Sequence, residues 1–299
     1  MDKFWRRERP QWLLLLLGLV LLISSAQADV RVQDDRHLPV VIARPAQRIV
    51  SLLPSLTETV CVLGACSRLV GVDRYSNWPA SVQSLPSMGG GIDPNIEAIV
   101  AARPDLVLLA SSARGAERLE SLGIPVLRLE PRTLSDARRV LVTVAQALGI
   151  APAEYTRKWQ NIESGWMTAA LSVPASMKGQ RVYFEVSPVP YGAGPQSFIG
   201  ETLHHLGLMN IMSSDMGPFP KINPEFVVRA QPDIIMLSDS SRASLMQRPG
   251  WAKLSAVQRD RVCAFDQTAS DVLVRAGPRL AEAAQRVVGC LQRLAREAR

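Results

Sequence analysis

The chain has 299 residues, with 34 Lys and Arg against 27 Asp and Glu for a formal charge of +7, and 47% of its residues are hydrophobic. That length exceeds one ordinary domain and points to two. The positive excess is modest and scattered, with no basic face interleaved with aromatics, which argues against nucleic-acid binding.

The N-terminus reads as an export signal. Lys3, Arg6, Arg7 and Arg9 precede an apolar run from Trp12 to Ile23, and Ala26-Gln27-Ala28 follows. A positive start, a short apolar core and small residues at alternate positions predict cleavage after Ala28, so that the mature chain begins at Asp29 in the periplasm. The run is shorter than the ~20 residues of a spanning helix, and no second run of spanning length follows. No Cys stands at the cleavage point to carry a lipid.

Beyond the signal the pattern alternates between strand and helix. A strand is expected over 49–53, then a helix from Ser55, where the Ser55/Glu58 pair fits a capping box, stopped at Gly64. A strand over 69–72 comes next. Further on, a helix over 113–122, a strand over 124–129 and a helix over 135–148 close an N-terminal lobe spanning 29–150. The segment 151–178 has no strand pattern and reads as one long helix, 153–171. A C-terminal lobe, 179–299, opens with a strand over 181–186 and a Pro/Gly-rich loop. A helix over 198–206, a strand over 262–265 and a final helix over 278–296 follow.

An internal repeat organises this alternation. Asn95-Ile-Glu97-Ala-Ile-Val-Ala-Ala-Arg-Pro104-Asp105-Leu-Val-Leu-Leu matches Asn223-Pro-Glu225-Phe-Val-Val-Arg-Ala-Gln-Pro232-Asp233-Ile-Ile-Met-Leu, and Met88-Gly89 matches Met216-Gly217 at the same offset. Each copy reads as a short amphipathic helix, a Pro-Asp turn and an all-apolar strand of the kind buried on both faces. A doubled unit of this kind implies two α/β lobes with parallel-rich sheets, Rossmann-like in plan, joined by one long helix with a cleft between them. One such crossing predicts a stiff connection with limited closure.

Cys61, Cys66, Cys263 and Cys290 are expected to be paired or buried in an oxidising compartment. Cys61 lies late in a helix and Cys66 just past its end, close enough to bridge, which would leave Cys263 with Cys290. Four small buried apolar side chains are the equal alternative. Their spacing does not suggest zinc. His37, His204 and His205 are too few and too scattered for a metal-ion receptor. No nucleophile elbow, phosphate loop or His-Glu-x-x-His occurs, so binding without catalysis is expected. The aromatics Tyr75, Trp78, Tyr191 and Phe219 fall in loops at the strand ends that open between the lobes, where ligand faces are formed.

Four sets of residues carry a resemblance over the whole mature chain. They are Arg48-Ile-Val-Ser-Leu-Leu-Pro-Ser-Leu-Thr-Glu58, Val70-Gly-Val-Asp-Arg-Tyr-Ser-Asn-Trp-Pro79, the two repeats, and Tyr183-Phe-Glu-Val through Gly194-Pro-Gln-Ser197. The chain resembles the helical-backbone class of periplasmic solute-binding proteins, which serve ABC importers of cobalamin, haem and ferric siderophores, and is most similar to the cobalamin-binding branch. The resemblance implies that Glu97 and Glu225 dock on a permease dimer that works with its ATPase. It also implies that Tyr75, Tyr191, Phe219, Asp271 and Arg275 line the ligand cleft. A monomer that binds one bulky chelate and carries no cofactor of its own is expected.

The chain departs from the cobalamin-binding pattern where Gly89-Gly-Gly91 and Ala110-Ser111 stand in place of cleft tryptophans. It departs again where Leu206 stands at the position that would bridge Cys290 in that branch. Haem receptors of the class usually offer a tyrosinate from the loop before the first docking Glu, and residues 87–95 contain neither Tyr nor His. Arg74, Arg275 and Arg279 are the guanidinium candidates for a ferric siderophore. A receptor that has lost its ligand and keeps only its protein partner is a further alternative.

Overall fold

The computed structural model describes residues 29–187 and 191–297, so the export signal predicted over 1–28 and its cleavage site lie outside the described residues. Among the described residues no helix is long and apolar enough to cross a membrane. A short antiparallel hairpin of β1 (Val30–Gln33) and β2 (Pro39–Ile42) leads in.

The first lobe is a parallel sheet of β3 (Ile49–Ser51), β4 (Leu69–Val72), β5 (Leu106–Leu109) and β6 (Val126–Arg128), in the order β4-β3-β5-β6. Its helices are α1 (Pro54–Val62), α2 (Ile96–Ala101), α3 (Ala116–Ser121) and α4 (Leu134–Ala147). Then α5, Pro152–Leu171, runs to the second lobe. There β7 (Arg181–Ser187) pairs in parallel with β10 (Ile234–Ser238), which pairs with β11 (Val262–Phe265). The free edge of β7 takes β9 (Met209–Asn210) in parallel at its start and β8 (Tyr191–Gly192) antiparallel at its end. Helices α6 (Phe198–His205), α7 (Pro224–Ala230), α8 (Gln267–Leu273) and α9 (Leu280–Glu297) complete the lobe, with two single turns at Asp239–Arg242 and Ser255–Gln258.

The repeat is visible in three dimensions as β5 and β10, each inside its sheet with its apolar run buried. The shared Pro-Asp has a physical role in both copies. Asp105 accepts the backbone N–H groups of Gln47 and Arg48 at the start of β3, and Asp233 accepts that of Arg181 at the start of β7. Each carboxylate thus satisfies an amide that a strand end would otherwise leave open, fixing the register of the neighbouring strand. Gly89 and Gly217 also correspond, with φ of 88° and 83°. A Cβ on Gly89 would stand 2.4 Å from the Asp93 carbonyl oxygen, so only glycine fits there.

One apolar cluster passes from Ile49, Leu106 and Leu127 of the first sheet through Val144 and Ile162 to Val182, Ile234 and Val287 of the second lobe. The lobes therefore share a core, and α5 and α9 close it from behind. Their crossing is tight, since a Cβ on Gly165 would lie 3.0 Å from that of Ala281.

Two local expectations change. The predicted Ser55/Glu58 capping box does not form: Pro54 occupies the first helical turn, where its missing N–H costs nothing, Leu53 is the N-cap, and no side chain caps the helix. Glu58 turns instead to arginines from the other lobe. A capping box does form at Thr133 and Asp136, starting α4. The helix expected from residue 113 begins at Ala116, after Gly115 in the left-handed region.

Disulfides join Cys61 to Cys66 and Cys263 to Cys290. The second ties β11 to α9 across 27 residues of sequence, the first closes a separation of 5. Loop-closure entropy then predicts that replacing Cys263 and Cys290 by Ala costs about 3–4 kcal/mol, and replacing Cys61 and Cys66 about 2 kcal/mol. Urea unfolding of the two double variants should show this rank order in the free energy of unfolding, with a slope that rises more for the longer loop as the unfolded chain is released.

Candidate ligand-binding cleft

Parallel strands deliver their C-terminal ends to one edge of a sheet, and here the edges of both lobes face a common cleft. After β3 come Leu52, Leu53, Pro54 and Ser55, after β4 Asp73 and Tyr75, after β5 Ala110, Ser112 and Ala113, and after β6 Glu130 and Pro131. The second lobe adds Val186, Phe198, Phe219 and, from α8 and the turn after it, Asp271, Val274, Arg275 and Ala276. Together these enclose about 600 Å³.

Of the residues expected there, Tyr75, Phe219, Asp271 and Arg275 stand on the lining. Tyr75 is 60% exposed, and Ile92, on the glycine-rich turn beside it, is 69% exposed. Phe219 faces them from the other lobe, its ring tilted on Phe198 with centroids 6.0 Å apart. Trp78 and Tyr191 stand off this lining. Trp78 carries the Arg279 guanidinium over its ring at 4.9 Å. Tyr191 lies on β8 at the edge of the second sheet, bridged to Lys221.

The floor holds a network that sequence reading missed. Glu58, 1% exposed in its side chain, comes from α1 of the first lobe, and Arg275 and Arg279 come from the segment joining α8 to α9 in the second. Arg275 Nη1 donates to Glu58 Oε1 at 2.8 Å and to Asn77 Oδ1 at 2.8 Å, while Nη2 donates to the Tyr75 carbonyl at 3.1 Å and lies 3.2 Å from Asp271. Asn77 Nδ2 donates to Asp271 at 2.7 Å. Arg279 reaches Glu58 at 3.4 Å and Glu282 at 2.9 Å. Glu58 Oε2 is buried without a hydrogen-bond partner among the described residues. Burial raises the Glu58 pKa above its ordinary value, against the opposing pull of Arg275 and Arg279. The signal available in the sequence was a lone carboxylate inside the apolar run of α1, which the capping-box reading absorbed.

Asp73 is buried too. It accepts the Ser76 hydroxyl at 2.5 Å and the Tyr75 N–H at 2.9 Å, and burial raises its pKa. Behind it, Thr57 links Ser76 to Ser51 by hydroxyl bonds of 2.8 Å each. Arg74, an expected free cation, is paired with Asp93 at 2.5 Å. Among the described residues no three His, Cys, Asp or Glu side chains group closely enough to hold a metal ion.

Glu97 and Glu225 are both exposed and both in the first turn of their helices, α2 and α7. Asn95 and Asn223 cap those helices in the two repeats. Each helix follows directly on a lip of the cleft, α2 after the turn bearing Ile92 and α7 after the loop bearing Phe219.

Residues 49–269 match the family model described as periplasmic binding protein. The chain belongs to that family. It is 28% identical to the uncharacterized ABC transporter substrate-binding lipoprotein YvrC of Bacillus subtilis, over 91% of this chain and 93% of YvrC. It is 27% identical to the Vitamin B12-binding protein of Vibrio cholerae serotype O1, over 83% and 91%. The solved structure of the periplasmic heme-binding protein RhuT from Roseiflexus sp. RS-1 superposes with a TM-score of 0.71 at 27% identity, covering 84% of this chain and 99% of RhuT. Those coverages span both lobes, so this periplasmic binding protein shares the two-lobed plan of its relatives.

The buried network gives a pH-dependent prediction. In an Arg275→Met variant Glu58 loses its nearest cation, so its pKa in the folded protein rises further above the unfolded value. A carboxyl with a raised folded pKa contributes stability below the unfolded pKa and loses it as pH climbs through the folded one. The variant should be destabilised by about 3 kcal/mol at pH 8 and distinctly less at pH 5. Urea titrations of variant and wild type at the two pH values measure this, and a penalty that grows on acidification would contradict it.

Proposed function

We propose that this protein is the periplasmic substrate-binding component of an ABC importer, capturing cobalamin or a related corrinoid between its lobes and passing it to a membrane permease dimer with its ATPase. The cleft carries this reading: about 600 Å³, open at the mouth and mostly apolar, with Tyr75 and Phe219 on opposite lobes. Aromatic faces and aliphatic walls suit a large flat macrocycle better than a small polar solute. The Vibrio cholerae relative is named for vitamin B12, which agrees. A second reading, haem, is favoured by the likeness to RhuT and by the placement of the Tyr75 phenol on the lining. The protein acts as a monomer, by binding and release, without a chemical step on its ligand.

Within this reading Tyr75 and Phe219 stack on the ligand, and Asp271 and Arg275 supply polar contacts from the floor. Tyr191 adds to the lip from β8, and Trp78 supports Arg279. Calorimetric titration of the mature protein with cyanocobalamin, haem and a ferric siderophore should give saturable one-to-one binding of cyanocobalamin. Haem binding with no response to cyanocobalamin would replace the reading. Tyr75→Ala and Phe219→Ala should each weaken binding by on the order of 1–3 kcal/mol; unchanged affinity would reduce them to loop supports.

Glu97 and Glu225 dock the two lobes on the permease by charge complementarity, without a large apolar interface. The double variant Glu97→Lys/Glu225→Lys should abolish ligand uptake and ligand-stimulated ATP hydrolysis while leaving ligand affinity within about twofold. A matching loss of affinity would sink this division of labour.

A further inference from the structure

The cleft lining carries more negative than positive charge although the chain as a whole is +7. Asp73, Glu130 and Asp271 line it, with Arg275 as the cation opposite them among the described residues. Leaving Asp73 aside, two carboxylates still face one guanidinium.

The partners of these groups differ in kind. Asp73 is held by the Ser76 hydroxyl and the Tyr75 N–H, and Glu130 by the N–H and hydroxyl of Ser112 at 3.0 and 2.9 Å. Such donors satisfy a carboxylate without cancelling its charge. Arg275 is instead held by carboxylates, Glu58 beneath and Asp271 beside, and its Nη groups also donate to Asn77 and the Tyr75 carbonyl. Arg279 stands outside the lining, shared between Glu58 and Glu282. At the rim Arg74 is paired with Asp93, and Arg132 lies 3.9 Å from Glu130 while staying largely exposed.

From this pattern we propose that the cleft discriminates chelates by charge, favouring neutral and cationic ligands over anionic ones, and that Glu58 sets the preference from behind the wall as a positioning residue. The proposal rests on the cleft being the ligand site, as in the preceding reading, but not on the ligand being a corrinoid. An anionic chelate seated against the described lining meets more carboxylates than cations, and the one guanidinium there is already shared, so rejection comes from unpaired like charge rather than from shape. A neutral ligand rimmed with amides finds acceptors ready for its N–H groups. Glu58 matters because its single carboxylate is shared by two guanidiniums. Without its charge, Arg275 would project a net positive field into the cleft.

Two ligand pairs test this. One is cyanocobalamin against its monocarboxylate derivative, in which one peripheral amide is hydrolysed; the other is a cationic ferric trihydroxamate against a trianionic ferric tricatecholate. Wild type should prefer the less negative member of each pair, by roughly three- to tenfold per unit of charge. In Glu58→Gln the ratio within each pair should shrink several-fold, while in Arg279→Gln it should widen. The second variant carries the test of Glu58's setting if the first does not fold. A merely structural role for the network would weaken all ligands alike and leave the ratios where they were, overturning the assignment to Glu58. Equal affinities within the pairs, or no binding by any of the four, overturns the charge proposal. Binding of the ferric pair with cationic preference, and of neither corrinoid, overturns the cobalamin reading and leaves the charge proposal standing.

Discussion

A carboxylate almost wholly removed from water, Glu58, is held where the two lobes meet by guanidiniums that reach it from the far lobe. Desolvating a carboxylate costs several kcal/mol, and an ion pair in such a place returns that only with good geometry and satisfied neighbours. Here the geometry is supplied by a short stretch of chain between α8 and α9, and the neighbours are Asn77, Asp271 and the Tyr75 carbonyl. Apolar side chains of the same volume would hold the lobes together at least as well. What they would not do is fix Arg275 in one orientation at the cleft wall, and through its bond to the Tyr75 carbonyl tie that loop to the opposite lobe. The network therefore defines the shape and charge of the floor more than it adds to stability.

Around that floor the architecture follows from doubling one unit. Each repeat places an apolar strand inside a parallel sheet and uses its Asp to satisfy amides at the start of the adjacent strand. Strands so registered present their C-terminal ends at one edge, and the loops leaving those ends form the cleft. The same unit places a capped helix just beyond the cleft lip, with Glu97 or Glu225 in its first turn. Cleft-lining and exposed acidic groups are thus a few residues apart in both lobes. The shared apolar core behind them joins the two lobes in one cluster, with α5 and α9 packed across it.

Most of the fold was legible because its signals are strong: all-apolar strands, the Pro-Asp turns and the repeat itself. The small elements were not. The hairpin β1–β2 has strands of only four residues, too short for their alternation to stand out, and β8 and β9, of two residues each, exist through their partner β7 rather than through their own sequence. In the cleft, Tyr75 and Phe219 could be placed from loop position, whereas Trp78 could not be told from a lining residue until Arg279 was seen over its ring. Glu58 was misread for a different reason. A Ser and a Glu at capping-box spacing describe a local bond, and local spacing says nothing of arginines more than two hundred residues away that compete for the same carboxylate.

That competition also explains why counting arginines in the sequence overstated the positive charge available to a ligand. Arg74, Arg275 and Arg279 all lie close to the cleft in the chain's own map, and each is already bound to a carboxylate. A guanidinium in a bidentate or shared pair presents little net field, and prying it loose for a ligand would strand a partner, in one case a buried one. What such a lining offers instead is shape, aromatic faces and neutral hydrogen-bonding groups. Those terms grow with the area covered rather than with charge, so a cleft walled in this way gains most from surface brought out of water.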